Sequence, residues 1–231
     1  MARRPVIAVV TARGGSIGFP GKNLAPFLGR PLVAHAVREA MTARYVDRVV
    51  VSTDNDDIAA AGAAEGAAVV PRPAELARSD SRSVDAVLHA ADVLELTDDS
   101  VLVLVQPTTP LRTAADIDEC LSLYERDEGG SVVQMTGVVE HHPWKACVVV
   151  DGRVRPAHEW ADLEAPRQQL PNTLRPTGGV YVIGAGDLRR HRRFFVPEVL
   201  AQVIPQDRAI DVDTSADLAA AVERARAMGL D

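Results

Sequence analysis

Short apolar runs alternate with stretches of helical spacing along most of this chain. The apolar run that opens Val6 to Asn23, then Val46 to Thr53, Ala67 to Val70, Val101 to Val105 and Ser131 to Thr136, read as strands. The fourth is apolar throughout, as in strands covered on both faces of a parallel sheet. Between them, Leu32, Val33, Ala36, Val37, Ala40 and Met41 share one helical face, and Pro31 suits the first turn. Asp54 to Glu65 predicts an alanine-rich helix ended near Gly66, and Ser83 starts another. Thr113 and Asp116 form a capping box ahead of Ile117, Cys120, Leu121 and Tyr124. Such alternation implies right-handed crossovers and an α/β domain, its mainly parallel sheet covered by helices on both sides.

From Gly137 to Pro176 the alternation breaks down. Asp151-Gly152 between short valine runs predicts a hairpin, so 138–176 reads as an inserted β arm, a lid or a contact with a second subunit. The sheet pattern returns over Gly178 to Ile183 and Ala201 to Ile204. A last helix, capped by Thr214 or Ser215, turns Leu218, Ala221, Val222, Ala225 and Met228 inward. No linker interrupts residues 1–231, which are expected to form a single domain carrying that arm. Cys120 lies on the buried face of its helix and is expected to pack rather than react. His141 and His142 are adjacent, so on a strand they would point opposite ways, which argues against a two-histidine metal site.

Composition narrows the function. With 32 acidic against 25 basic residues, the net charge of -7 is a poor match for a nucleic-acid surface. No run is apolar enough to span a membrane, and two cysteines cannot frame a disulfide scaffold, so a cytoplasmic protein is expected. Any phosphate it binds is therefore met locally, and Val6 to Asn23 offers the place. There an apolar strand runs into TARGGSIGFPGKN, a glycine-rich turn carrying Arg13, Lys22 and Asn23. The turn matches neither G-x-G-x-x-G nor the Walker pattern, so it is a third kind of phosphate loop.

Asp211 and Asp213 stand two apart in an extended segment and project to one face. With no histidine or cysteine nearby, such a pair suits a hard cation such as Mg2+, bridging to substrate phosphate; alternatively, one of the two assists the helix that follows. Joined to an Arg/Lys loop, the pair points to phosphoryl or nucleotidyl transfer, chemistry that rests on positioning and charge neutralisation.

Six segments in series carry a resemblance: TARGGSIGFPGKN at 11–23, STDNDDIA at 52–59, RPAELA at 72–77, QPTTPLR at 106–112, GGVYV at 178–182 and IDVDT at 210–214. Together they resemble the N-acylneuraminate cytidylyltransferases (CMP-sialic acid synthetases) over nearly the whole chain. The resemblance implies a Rossmann-like, nucleotide-diphospho-sugar transferase-like fold. It also implies attack by the anomeric hydroxyl of a 2-keto-3-deoxy sugar acid on the α-phosphorus of CTP, with Mg2+ (or Mn2+) as cofactor. Carried over, Ala12, Arg13, Gly14, Gly15, Lys22 and Asn23 would hold the nucleotide, with Arg13 and Lys22 on the triphosphate. Arg72 and Ser83 would help at base and ribose. Gln106 would meet the sugar acid, Arg167 its carboxylate, and Tyr181, Phe194 and Phe195 its far end. Asp211 and Asp213 would hold the metal, and Arg13, Lys22 and Asp211 would form the catalytic set. A homodimer, with the arm reaching the neighbouring subunit, is implied as well. The chain departs from the family pattern at Ile17, where a lysine is usual, at Thr177 in place of asparagine, and at Thr109 in place of serine. These leave as alternatives an eight-carbon ulosonic acid or a phosphonate as acceptor, or a CTP-binding regulator without catalysis.

Overall fold

β1 (Val6–Thr11) lies near the middle of the sheet, buried at every position but the last, because both faces are covered by helices. The computed structural model describes residues 4–16, 18–126, 130–138 and 141–230. Parallel neighbours of β1 are β4 (Arg48–Thr53) and β6 (Val101–Val105), and β5 (Ala68–Pro71) extends the sheet beyond β4. On the other side stand β10 (Leu174–Gly184), β7 (Ser131–Gly137) and β11 (Val199–Ile204), giving the order β11-β7-β10-β6-β1-β4-β5. Every strand is parallel to β1 except β10, which pairs antiparallel with both neighbours. A short ribbon of β2 (Pro26–Phe27) and β3 (Arg30–Pro31) leads into the first helix.

The two faces of β1 feed two cores. Ala8 and Val10 face α1 (Leu32–Thr42), α2 (Asp56–Ala64) and α4 (Ala114–Arg126). Ile7 and Val9 face α3 (Ser83–Val93) and α6 (Ala185–His191). The result is the expected three-layer, Rossmann-like α/β/α arrangement. Each fully buried valine of these strands contributes about 1.5–2 kcal/mol through area removed from water. A third cluster places α7 (Ser215–Ala227) against Phe27, Leu32, Leu111 and Val212.

Both capping boxes form: Asp116 accepts from the Thr113 N–H at 2.8 Å, and Asp217 does the same for Thr214 at 2.8 Å. Cys120 is fully buried, and burial pushes its thiol pKa up, as expected of packing. Three details differ from the sequence reading. Met41, expected on the inward face, is 48% exposed at the last turn of α1. Helix α6 was not read from the pattern, because Gly184 and Gly186 flank its start. Finally, β10 rejoins β7 from Leu174, so main-sheet pairing begins inside the stretch assigned to the arm.

The arm itself contains a hairpin of β8 (Cys147–Val150) and β9 (Arg153–Pro156) and a short α5 (Trp160–Glu164). His142 is buried and bonded to the Pro171 carbonyl at 3.0 Å, while His141 is exposed.

Candidate active site

The C-terminal ends of β1, β5 and β6 open on one cleft of about 390 Å3. Open parallel sheets bind ligands at this edge, where strand ends hand over to loops. The glycine-rich turn after β1 forms one wall. Ala12 is fully buried beneath it, donating its N–H to the Ser52 carbonyl at 3.1 Å. The Gly14 N–H bonds Asp54 Oδ1 at 2.9 Å, and a Cβ on Gly14 would stand 3.0 Å from the Asn55 Cβ, so this turn lies close against the end of β4. Asn23, buried, donates to the Arg13 carbonyl at 2.9 Å and locks the turn from inside.

Three cations sit on this side. Arg72, at the end of β5, is buried with its guanidinium on the Ser52 hydroxyl and carbonyl, and burial pulls its pKa down to about 10. The Arg13 guanidinium reaches the Arg78 carbonyl, drawing the 71–83 loop over the cleft. Lys22 crosses to the opposite wall and meets Asp213 Oδ1 at 2.8 Å.

That opposite wall has no strand. Residues 209–214 run irregularly, with Val212 fully buried and its N–H on the Thr108 carbonyl at 2.7 Å. Asp211 and Asp213, on either side of Val212, are both exposed, in a segment that is irregular rather than the extended one expected, and of the two Asp213 lines the cleft. Crowding by the cleft walls, first, and the charge of Asp213 raise the Asp211 pKa, against a Thr108 hydroxyl bond and the charges of Lys22 and Arg175. Above them β10 breaks register between Pro176 and Tyr181. Thr177 fixes the break, donating to Gln134 Oε1 at 2.8 Å and accepting the Gly179 N–H at 3.0 Å. Gly178, at φ +82°, is thereby brought against Gln106, Thr109 and Asp211; a Cβ there would stand 3.4 Å from Gln106 Oε1 and 3.6 Å from Asp211 Oδ2. Position 178 calls for glycine on conformational grounds alone.

Of the residues expected to meet the nucleotide, Arg13, Lys22, Asn23, Arg72 and Ser83 line the cleft with Gln106 and Asp213. Ala12 supports it from below, and Gly14 and Gly15 belong to the same turn. Tyr181, Phe194 and Phe195 cluster in an adjoining cavity of about 280 Å3 that shares Arg82, Ser83 and Gln106 with the cleft. Tyr181 lies 5.3 Å from Phe194 and 6.2 Å from Phe195, ring centre to ring centre. Arg167 departs from the expectation. It sits on the arm, bonded to the Val138 carbonyl, and lines cavities with His142 that are separate from the cleft. The position of Ile17 lies outside the described residues. The sequence reading passed over Thr108, though it stands in the quoted QPTTPLR, and over Arg82 and Arg175, which no motif marks.

A glycine-rich loop and an acidic segment joined across the carboxyl edge of a Rossmann-like sheet define an α/β protein with a cation-lined cleft at its strand ends. The chain belongs to the cytidylyltransferase family, whose model matches residues 7–145. It is 26% identical over 95% of its length to an N-acylneuraminate cytidylyltransferase of Escherichia coli and 29% identical over 93% to the CMP-N,N'-diacetyllegionaminic acid synthase of Legionella pneumophila. It spans 52% of the first of these and 93% of the second, so it is about half the length of the N-acylneuraminate enzymes it matches. Among solved structures, a CMP:2-keto-3-deoxy-manno-octonic acid synthetase complexed with CTP superposes with a TM-score of 0.70 at 20% identity, covering 97% of this chain and 98% of the other.

Proposed function

We propose that this chain transfers a cytidylyl group from CTP to a 2-keto-3-deoxy sugar acid of the sialic acid type, releasing pyrophosphate. The acid's anomeric oxygen bonds to the α-phosphorus, its hydroxyl proton is lost, and the bond from that phosphorus to the β-phosphate oxygen breaks. The observation that carries the reading is the 2.8 Å bridge from Lys22 to Asp213, which joins the phosphate loop to the acidic segment over one cleft. Arg13, Lys22 and the turn's N–H groups hold the triphosphate, Arg72 and Ser83 support base and ribose, and Gln106 meets the acid. Gly178 leaves room for the acid between Gln106 and Asp211.

Asp211 and Asp213 fit Mg2+ (or Mn2+). The charge of Asp213 helps raise the Asp211 pKa, and a divalent cation relieves that repulsion. Among the described residues no three His, Cys, Asp or Glu side chains gather, which suits an ion completed by water and phosphate oxygens rather than a closed protein cage. Bound there, the ion supplies charge neutralisation for the leaving pyrophosphate.

The arm supports a homodimer. Val148, Val149, Val154 and Trp160 are 51%, 71%, 54% and 63% exposed, and an isolated two-stranded hairpin is marginal in water. In such a dimer Arg167 is the arm's candidate for the carboxylate of an acid in the neighbouring cleft. A cytoplasmic location belongs to the same proposal, as the compartment that supplies CTP. No helix among the described residues is long and apolar enough to cross a membrane.

One preparation tests these points. Pyrophosphate release should require CTP, a nonulosonic acid and a divalent cation together, and sedimentation should give twice the chain mass. Turnover with a phosphonate alone moves the acceptor class, CTP binding without turnover on any acid leaves a regulator, and a single-chain mass removes the dimer.

A further inference from the structure

The aromatic cavity beyond Gln106 holds more positive charge than an uncharged far end of the acid needs. Tyr181, Phe194 and Phe195 form its apolar part, and Arg82, Arg192 and Arg193 also line it. Asp85 answers two of these guanidiniums, accepting from Arg82 Nε at 3.1 Å and from Arg192 Nη2 at 2.6 Å. Arg193 has no hydrogen-bond or ion-pair partner among the described residues, so three cations meet one carboxylate.

Position separates this charge from the acid's own carboxylate. The acid's carboxylate and its reacting hydroxyl sit on adjacent carbons, so both belong near the shared mouth at Gln106 and Arg82, beside the nucleotide. Arg193 lines only the aromatic cavity and adjoins Phe194 in sequence. Aromatic rings and an exposed, unpaired arginine lining one cavity suit a short acyl chain that ends in an anion, its hydrocarbon on the rings and its charge on the planar fork. Arg192 and Arg82 are held by Asp85 and set the field, whereas Arg193 is free to form the bidentate contact.

We propose that the acceptor of this chain carries a second negative charge on its distal acyl substituent and that Arg193 selects for it. The inference rests on the cytidylyl-transfer reading and names the substrate class within it. The test compares an N-acetyl nonulosonic acid with its N-malonyl counterpart, which differs by one added carboxylate, through CTP-dependent pyrophosphate release and through calorimetric binding to CTP-loaded protein. Since the side chains of Arg82 and Arg192 are 60% and 58% exposed, the preference should be screened by salt: roughly tenfold in kcat/KM for the N-malonyl acid at low ionic strength and smaller at high. Arg193→Gln should bring the two acids to parity. Arg190→Gln, which removes an exposed guanidinium paired with Asp187, should keep the preference. Equal or better use of the N-acetyl acid by the unaltered protein overturns the proposal, as does a preference that survives Arg193→Gln or falls equally with Arg190→Gln. If neither acid turns over but the N-malonyl acid binds more tightly, the pocket's selectivity stands and the transferase reading falls.

Discussion

The two walls of the cleft are held by different means. The phosphate-loop wall rests on the ends of β1, β4 and β5, and its polar groups are satisfied within the wall: Gly14 on Asp54, Asn23 on the Arg13 carbonyl, Arg72 on Ser52. The acidic wall, residues 209–214, has no strand and is fixed by point contacts: Arg175 on the Ala209 carbonyl, Lys22 on Asp213, and three further clips. Val212 bonds the Thr108 carbonyl, Arg208 grips Asp116, and Asp217 takes the Asp213 and Thr214 N–H groups. One wall is thus a product of sheet packing, and the other is tethered to neighbouring loops and helices by point contacts. A site built this way keeps its nucleotide cradle rigid while its carboxylates depend on a few replaceable bonds, and substitutions in the acidic wall should separate chemistry from stability.

The largest effect is expected at Asp211. In Asp211→Asn, pyrophosphate release should fall roughly 10²- to 10³-fold, the scale for removing one group that stabilises developing charge. Stability should not fall with it. A carboxyl whose folded pKa is raised binds its proton more tightly in the native chain than in the unfolded one. It therefore costs stability as pH rises through its folded pKa, and removing the charge relieves that cost at neutral pH. Urea unfolding at pH 7 should show Asp211→Asn as stable as the parent or more so. A variant that loses stability and activity together would make Asp211 a structural residue and erase the contrast between the walls.

Next comes the Arg208–Asp116 clip. Both guanidinium nitrogens lie 2.9 Å from the two carboxylate oxygens, and the Asp116 side chain is only 5% exposed. Burial pushes the Asp116 pKa up, but bonds from Arg208 and Thr113 outweigh it and the net shift is downward. Asp116→Ala leaves Arg208 unpaired and strips the α4 cap, and should cost about 3 kcal/mol. The sign of the pH dependence follows from the lowered pKa. The stabilisation is complete above the unfolded carboxylate value near pH 4 and fades as pH falls through the lower folded value. The gap between parent and variant in urea should therefore be widest at neutral pH and close progressively below about pH 4.

Those clips mark the limit of what sequence pattern conveys. Strands such as Val101–Val105 and caps such as Thr113/Asp116 were legible because periodicity and capping are local. Lys22 and Asp213 were each singled out, yet nothing local says that residues 191 apart in sequence touch. The family resemblance brought them together before the geometry did. Asp116 was read only as half of a cap and Arg208 carries no motif, so nothing local pairs the two until the fold does. Arg167 shows the converse: the resemblance assigns it a substrate contact, while within one chain it stays on the arm, bonded to Val138. Its role in a neighbouring cleft belongs to the proposed dimer, which single-chain packing does not supply. Helix α6 was missed because its flanking glycines outweighed seven residues of weak pattern, and tertiary packing of Ala185 and Leu188 decides it instead.

The smallest effect is expected at the third clip. Asp217 looks like an exposed residue on the last helix, but its Oδ2 accepts from the Asp213 N–H at 3.1 Å, the Thr214 N–H at 2.8 Å and the Thr214 hydroxyl at 2.8 Å. Those bonds hold its carboxyl below the usual range, so, like Asp116, it supports the fold above about pH 4 and less in acid. Asp217→Ala removes the reciprocal half of a capping box and should cost about 1 kcal/mol. Its effect on turnover should be a few-fold, because the Asp213 backbone loses one anchor while Val212 still bonds Thr108 and the Lys22 ammonium still faces the Asp213 carboxylate. Saturating the divalent cation should restore most of that loss, since a bound ion reimposes the position that the clip had set. A loss as deep as that of Asp211→Asn would mean that the acidic wall collapses when one point contact goes, and that the sheet contributes little to holding it.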